Sequence, residues 1–155
     1  MTIRKAVEKD IPEIKRLYRI LYADMAALQP EYWRETCQSE AFLKKTITES
    51  ISDVFIADRD GEVMGFALVQ EEDTEDYPAL IPYRICYLMD LLVAPGARGA
   101  GAGSKLLAAV EAWANERGLA YLELDVLEEN RGAARLYERC GYRDVRRTMR
   151  KKLRP

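Results

Sequence analysis

Apolar residues recur every three or four positions from Ile11 to Met25, through Ile14, Leu17, Tyr18, Leu21 and Tyr22. That spacing predicts a helix with one face turned to a core. Asp10 ahead of the run reads as its N-cap, with Pro12 and Glu13 in the first turn, and Pro30 closes it. Ser39 followed by Phe42, Leu43, Ile47 and Ile51 predicts a second helix, and Thr2 to Ala6 a short strand before the first. The period then changes. Val54–Ala57 and Val63–Val69 are rich in β-branched and aromatic residues on either side of Arg59-Asp60-Gly61, which predicts a hairpin. Tyr83 to Val93 is a near-continuous apolar run, read as the central strand. Helical spacing returns from Ser104 to Arg117 through Leu106, Leu107, Val110, Trp113 and Ala114, and stops at Gly118. Tyr121 to Leu127 alternates apolar and acidic residues as a strand does. Asn130 to Cys140 reads as a last helix, and Tyr142 to Leu153 as a closing strand with a bend. The expected order is βααβββαβαβ, an α/β sheet with helices on both faces.

Composition narrows the picture. With 155 residues and 48% apolar content, one domain over residues 1–155 is expected, with no internal repeat or linker. A net charge of −2, from 24 basic and 26 acidic residues, gives no global pull towards nucleic acid or an anionic membrane. No run of about 18 apolar residues and no secretory leader is apparent, so a cytoplasmic protein is expected. Cys37, Cys86 and Cys140 form no Cys-x-x-Cys pair and histidine is absent, so neither a zinc cluster nor a Cys-His nucleophile is expected. Without histidine, a proton must pass to a carboxylate, a tyrosine or water.

The richest chemistry lies between the central strand and the third helix, at Arg98-Gly99-Ala100-Gly101-Ala102-Gly103-Ser104. Glycines at alternate positions remove Cβ atoms where a helix begins. The N–H groups from Arg98 to Ser104 could then close on an anion that the helix dipole favours, a phosphate or pyrophosphate. A connector that only turns the chain is the alternative. Ser104-Lys105 reverses the Lys-Ser order that a P-loop needs, and the interleaved glycines do not match the dinucleotide fingerprint.

Arg98-x-x-Gly101-x-Gly103 resembles the acyl-CoA-binding signature of the GNAT superfamily of N-acetyltransferases. Leu91-Leu92-Val93 and Pro95 upstream, and Asn130 and Ala133-Ala134-Arg135-Leu136-Tyr137 downstream, extend the likeness from about residue 83 to the C-terminus; Ile3-Arg4-Lys5-Ala6 resembles the way such chains open. The resemblance implies one GNAT-like domain with a mixed sheet of six to seven strands. It also implies acetyl-CoA as co-substrate, no metal, an amine acceptor, and a homodimer as one option for assembly. Leu91, Leu92 and Val93 would pair their backbone with the pantetheine arm, and the segment Arg98, Gly99, Ala100, Gly101, Ala102, Gly103 and Ser104 would hold the pyrophosphate. Asn130 would contact pantetheine while capping its helix, and Tyr137 would both meet the cofactor and protonate the departing thiolate. A domain of the same fold that binds acyl-CoA as a sensor, without useful turnover, is the rival.

The proton acceptor is read from the residues themselves. Asp90 is the only charged residue within Tyr87–Val93, where burial would raise its pKa and suit it to a base or an amine anchor, with a water relay as the alternative. Glu72, Asp73, Glu123 and Asp125 stand behind it. The acidic run Glu71–Asp76 is either a solvated connector or a lure for a cationic acceptor, and the basic tail from Arg143 to Arg154 either a solvated strand edge or a docking surface. Tyr22, Tyr32 and Trp33 are either core aromatics or walls of an acceptor pocket.

Overall fold

The computed structural model describes all 155 residues. Strand β1 (Thr2–Lys5) leads through a 3-10 turn into helix α1 (Ile11–Leu28) and then α2 (Glu40–Thr48). Strands β2 (Ser52–Arg59), β3 (Glu62–Asp73) and β4 (Arg84–Val93) follow, then α3 (Ala102–Glu116), β5 (Tyr121–Glu123) and α4 (Arg131–Arg139). The five strands lie side by side in chain order, antiparallel except for the parallel pair β4–β5.

Alternation along β2 and β3 divides the core between the two faces of the sheet. Val54, Ile56, Phe66 and Leu68 meet Ile11, Ile14, Leu17 and Tyr18 of α1 and Leu43 of α2. Phe55, Ala57, Ala67 and Val69 face Leu106, Leu107, Val110 and Trp113 of α3. The apolar stripes of α1 and α3 are therefore core-facing, as their spacing implies. Ser39 caps α2, its hydroxyl accepting from the Phe42 N–H at 3.2 Å, and Asp58 accepts from the Gly61 N–H at 2.7 Å to close the β2–β3 turn.

The sheet has five strands, not six to seven, because the closing strand does not form. Every residue from Arg143 onward is exposed, Val145 and Met149 among them, and none makes a backbone hydrogen bond to another backbone group. Apolar residues four apart among arginines and lysines give this segment no face to bury. Strand β5 ends at Glu123, short of Leu127, and α3 starts at Ala102, ahead of Ser104.

Two polar readings are also corrected. Asp10 does stand at the N-cap position of α1, but its side chain does not cap the helix: the carboxylate accepts from the Val7 N–H at 2.8 Å and from both Arg4 Nη atoms at 2.9 and 3.0 Å. The acidic run is not wholly a loop, since Glu71, Glu72 and Asp73 continue β3, and Glu71 is neutralised by Arg84 at 2.6 Å and Arg117 at 3.0 Å.

Candidate active site

Strand β4 has two unlike edges. Towards β3 it is paired from Arg84 to Val93, but towards β5 only Ile85, Cys86 and Tyr87 find partners. From Leu88 to Val93 the second edge therefore has no strand neighbour, so the backbone of Leu91, Leu92 and Val93 is unpaired on that side. The glycine segment follows the end of this strand, where Arg98 Nε donates to the Val93 carbonyl. Gly101, with φ of +83°, stands at the N-cap of α3, and Gly99 has the same φ, a region that L side chains rarely enter. No backbone N–H from Arg98 to Ser104 donates to a backbone acceptor. Consecutive donors without a partner thus stand at the positive end of a 15-residue helix, an arrangement whose electrostatics suit an anion.

The residues within this segment divide their work. A Cβ at Gly99 or Gly101 would meet nothing within 4 Å, so these glycines serve backbone conformation and open approach. A Cβ at Gly103 would lie 2.8 Å from Leu136 Cδ2; this glycine lets α4 pack against the start of α3. Ala102 is buried in the core on the α3 side. The Arg98 side chain turns back on the strand, its Nε donating to the Val93 carbonyl at 3.0 Å and its Nη2 reaching Asp24 at 3.4 Å, so it braces the segment against β4 and α1.

Asp90 owes its position to a bulge. Leu68 pairs with Asp90 but Val69 with Leu88, which leaves Met89 as an extra residue on β4. Leu88 therefore points to the α3 side while Met89 and Leu92 pack on the α1 side. Asp90 faces α1 as well, where the Tyr18 hydroxyl donates to its Oδ2 at 2.7 Å. Burial pushes the carboxyl up to about 6, and the Tyr18 hydrogen bond opposes that rise. The same burial, and then the charge of Asp90, push the Tyr22 phenol up to about 12. Sequence reading placed Tyr18 in the apolar stripe and missed its hydroxyl. The clue was available, since a core tyrosine and a strand aspartate each need a polar partner.

Tyr137 stands on α4, buried, with its ring 5.7 Å from that of Tyr142. Its hydroxyl has no protein partner, yet it is not among the polar atoms sealed from solvent, so it opens to the exterior. Burial and then the Asp90 charge push it up to about 12, which keeps it protonated at neutral pH. Asn130 caps α4, its Oδ1 accepting from the Ala133 N–H at 3.2 Å.

Two of the second-line acids, Glu72 and Asp73, stand away from Asp90. Asp73 pairs with Arg84, six residues along β4 from Asp90 or about 20 Å at strand rise, so Glu72 and Asp73 lie at the far end of the strand. Asp125 accepts from the Tyr87 hydroxyl at 2.7 Å. A surface cavity of about 520 Å³, lined by Arg19, Ala23, Glu35, Thr36 and Cys37, holds none of the residues above. No group of three or more His, Cys, Asp or Glu side chains is arranged to hold a metal ion, and no helix is long and apolar enough to cross a membrane.

Residues 14–142 match the model of the Acetyltransferase (GNAT) family, and the chain belongs to that family. It is an enzyme of the acyltransferase class. An uncharacterized N-acetyltransferase, YhfO of Bacillus subtilis, is 36% identical over 150 residues, covering 93% of this chain and 91% of that protein. Among solved structures, a tetramutant of the BH1408 protein from Bacillus halodurans shares the fold with a TM-score of 0.91 at 24% identity, covering 99% of this chain and 100% of the other. The aminoglycoside N-acetyltransferase AAC(6')-Iy in complex with CoA shares it with a TM-score of 0.74 at 20% identity, over 99% and 100% of the two chains.

Proposed function

We propose that this chain, as a single cytoplasmic domain over residues 1–155, moves an acetyl group from acetyl-CoA directly to a primary amine. The observation that carries the reading is the run of unbonded N–H groups from Arg98 to Ser104, set beside the open edge of β4. Acetyl-CoA supplies an acetyl thioester, a diphosphate and a pantetheine arm with two amides. The free amides and the α3 dipole hold the diphosphate. The edge at Leu91, Leu92 and Val93 takes the arm as an added strand, with Asn130 flanking it from the start of α4. An N–H of the same edge polarises the acyl carbonyl.

Asp90, ionised above about pH 6, takes a proton from the bound ammonium. The freed amine nitrogen then forms its bond to the acyl carbon, and the carbon–sulfur bond breaks. Tyr137, protonated throughout the neutral range, gives its proton to the departing thiolate. The phenol is a weaker acid than a thiol, so this step needs close approach and a poorly solvated sulfur. The acceptor is an amine of a small molecule or of a protein. AAC(6')-Iy is by its name an aminoglycoside N-acetyltransferase, so aminoglycoside amines belong in any trial, with no nucleic acid or membrane partner invoked.

The test is thiol release from acetyl-CoA against a panel of aminoglycosides, polyamines and peptide amines, with Tyr137→Phe and Asp90→Asn as controls. Turnover on at least one amine, falling by about tenfold or more in each variant, is expected. Undiminished turnover in both would remove these roles. Binding of acetyl-CoA with no turnover on any amine would leave a sensor.

A further inference from the structure

A second tyrosine–aspartate pair stands outside the transfer chemistry. The Tyr18 hydroxyl donates to Asp90 Oδ2 at 2.7 Å, and the Tyr87 hydroxyl donates to Asp125 Oδ2 at the same 2.7 Å. The sheet brings the two pairs to one face. Cys86, Leu88, Leu122 and Leu124 pack on the α3 side, so Tyr87, Glu123 and Asp125, which alternate with them, turn to the α1 side, where Asp90 lies. It also brings them to one level. Tyr87 pairs with Glu123 in the parallel ladder, the last pair before the strands part, so Asp125, two residues on, is level with Met89 and Asp90 across the gap. A gap that admits one extended arm between β4 and β5 is two strand spacings wide, which sets the two aspartates about 10 Å apart at the backbone.

Neither aspartate meets a cation. Glu71, Asp73 and Glu128 each form a salt bridge, whereas Asp90, Glu123 and Asp125 form none. Tyr137 separates this gap from ordinary acidic surface. It is 9% exposed, its hydroxyl has no protein partner and is not sealed from solvent, and it lies within reach of the Asp90 charge. Burial, then the Asp125 hydrogen bond and the Asp125 and Asp90 charges, push the Tyr87 phenol well up, so it stays a neutral hydroxyl.

We infer, resting on the transfer reading, that Asp125 and Tyr87 form a second ammonium site, and that the acceptor is a linear diamine or polyamine whose reactive amine meets Asp90 while Asp125 holds the next. An ammonium brings three donors and no acceptor. Asp125 Oδ1 and the lone pairs of the Tyr87 hydroxyl receive no donor from the protein, so they are free to accept them. With about 3 Å of hydrogen bond at each end, the two amines stand about 4 to 6 Å apart, the length of a chain of about three or four carbons. Asp90 is buried and Asp125 exposed, so the reactive end enters the cleft while the other stays at its mouth. A monoamine leaves the outer pair idle.

Steady-state thiol release from acetyl-CoA tests this, with diaminopropane and diaminobutane each set against propylamine and butylamine. The expected kcat/KM for a diamine is about tenfold or more above that of its monoamine, with the difference carried by KM. Asp125→Asn should remove most of that ratio and Tyr87→Phe a smaller part. Glu72→Gln, which deletes a carboxylate at the far end of the sheet, should leave the ratio within about twofold. Diamines and monoamines used alike by the wild type, or a preference that survives Asp125→Asn, would overturn the inference. So would a preference that Glu72→Gln lowers as much as Asp125→Asn, since a general field and no built site would then attract the cation. If no amine is turned over, the transfer reading falls, and calorimetry on the CoA-loaded chain decides the second site. Diaminobutane bound about tenfold tighter than butylamine, with the difference lost in Asp125→Asn, supports it; equal binding overturns it.

Discussion

Asp10 and Asp90 are both withdrawn from solvent on the α1 side of the sheet, and their surroundings treat them in opposite ways. Asp10, 6% exposed, sits between Arg4 and the Val7 N–H, and the Arg4 hydrogen bonds outweigh the cost of burial to hold its carboxyl below the usual carboxylate range. Asp90 has only the neutral Tyr18 hydroxyl, so burial wins and its pKa rises to about 6. A carboxylate given a cation is spent on structure, here fastening β1 to the start of α1. One given a phenol stays able to take up and release a proton near neutral pH.

The largest effect that would break this contrast is on turnover. Asp90→Asn is expected to lower kcat/KM by about 100-fold while raising thermal stability, since a buried charge is removed and the Tyr18 donor keeps an acceptor. Its gain at pH 8 should be about 1 to 3 kcal/mol, measured by denaturant unfolding. Asp10→Ala should do the reverse, costing about 2 to 3 kcal/mol by leaving Arg4 without its main partner, with kcat/KM within about twofold at temperatures where the chain is folded.

The pH dependence sharpens the contrast. The folded pKa of Asp90 lies above its unfolded value near 3.8, so its unfavourable contribution is present above about pH 6 and disappears as pH falls to about 4. The stability advantage of Asp90→Asn should shrink across that window. For Asp10 the folded pKa is depressed, so its favourable contribution is full above the unfolded value and is lost only as pH falls below about 4. The smallest effect is expected of Tyr18→Phe. Losing the donor lets burial act unopposed on Asp90, and the acid limb of kcat/KM should move upward from about 6 by about one pH unit, with little change on the plateau.

How far these features were legible depends on the distance over which they are decided. The α1 and α3 stripes, the Ser39 and Asn130 caps and the glycine segment are written in neighbouring residues, and each stands where its local chemistry puts it. Asp10 stands at the N-cap as its local chemistry implies, but the partner of its carboxylate is decided by Arg4 coming round from β1. The bulge at Met89 leaves no compositional mark, since one unpaired residue alters register and not residue type. Tyr18 and Asp90 lie 72 residues apart, so neither announces the other. The closing strand does not form because Val145, Met149 and Leu153 stand four apart among arginines and lysines and give the segment no face to bury.

On the proposed function, main-chain amides at the start of α3 hold the diphosphate of CoA. Hydrogen exchange of the individual amides from Arg98 to Ser104, followed by NMR with and without saturating CoA, tests it most directly. The expected result is fast exchange in the free protein and strong slowing across this run when CoA binds, lost in Gly101→Val. Binding of CoA that left these amides exchanging as before would contradict it.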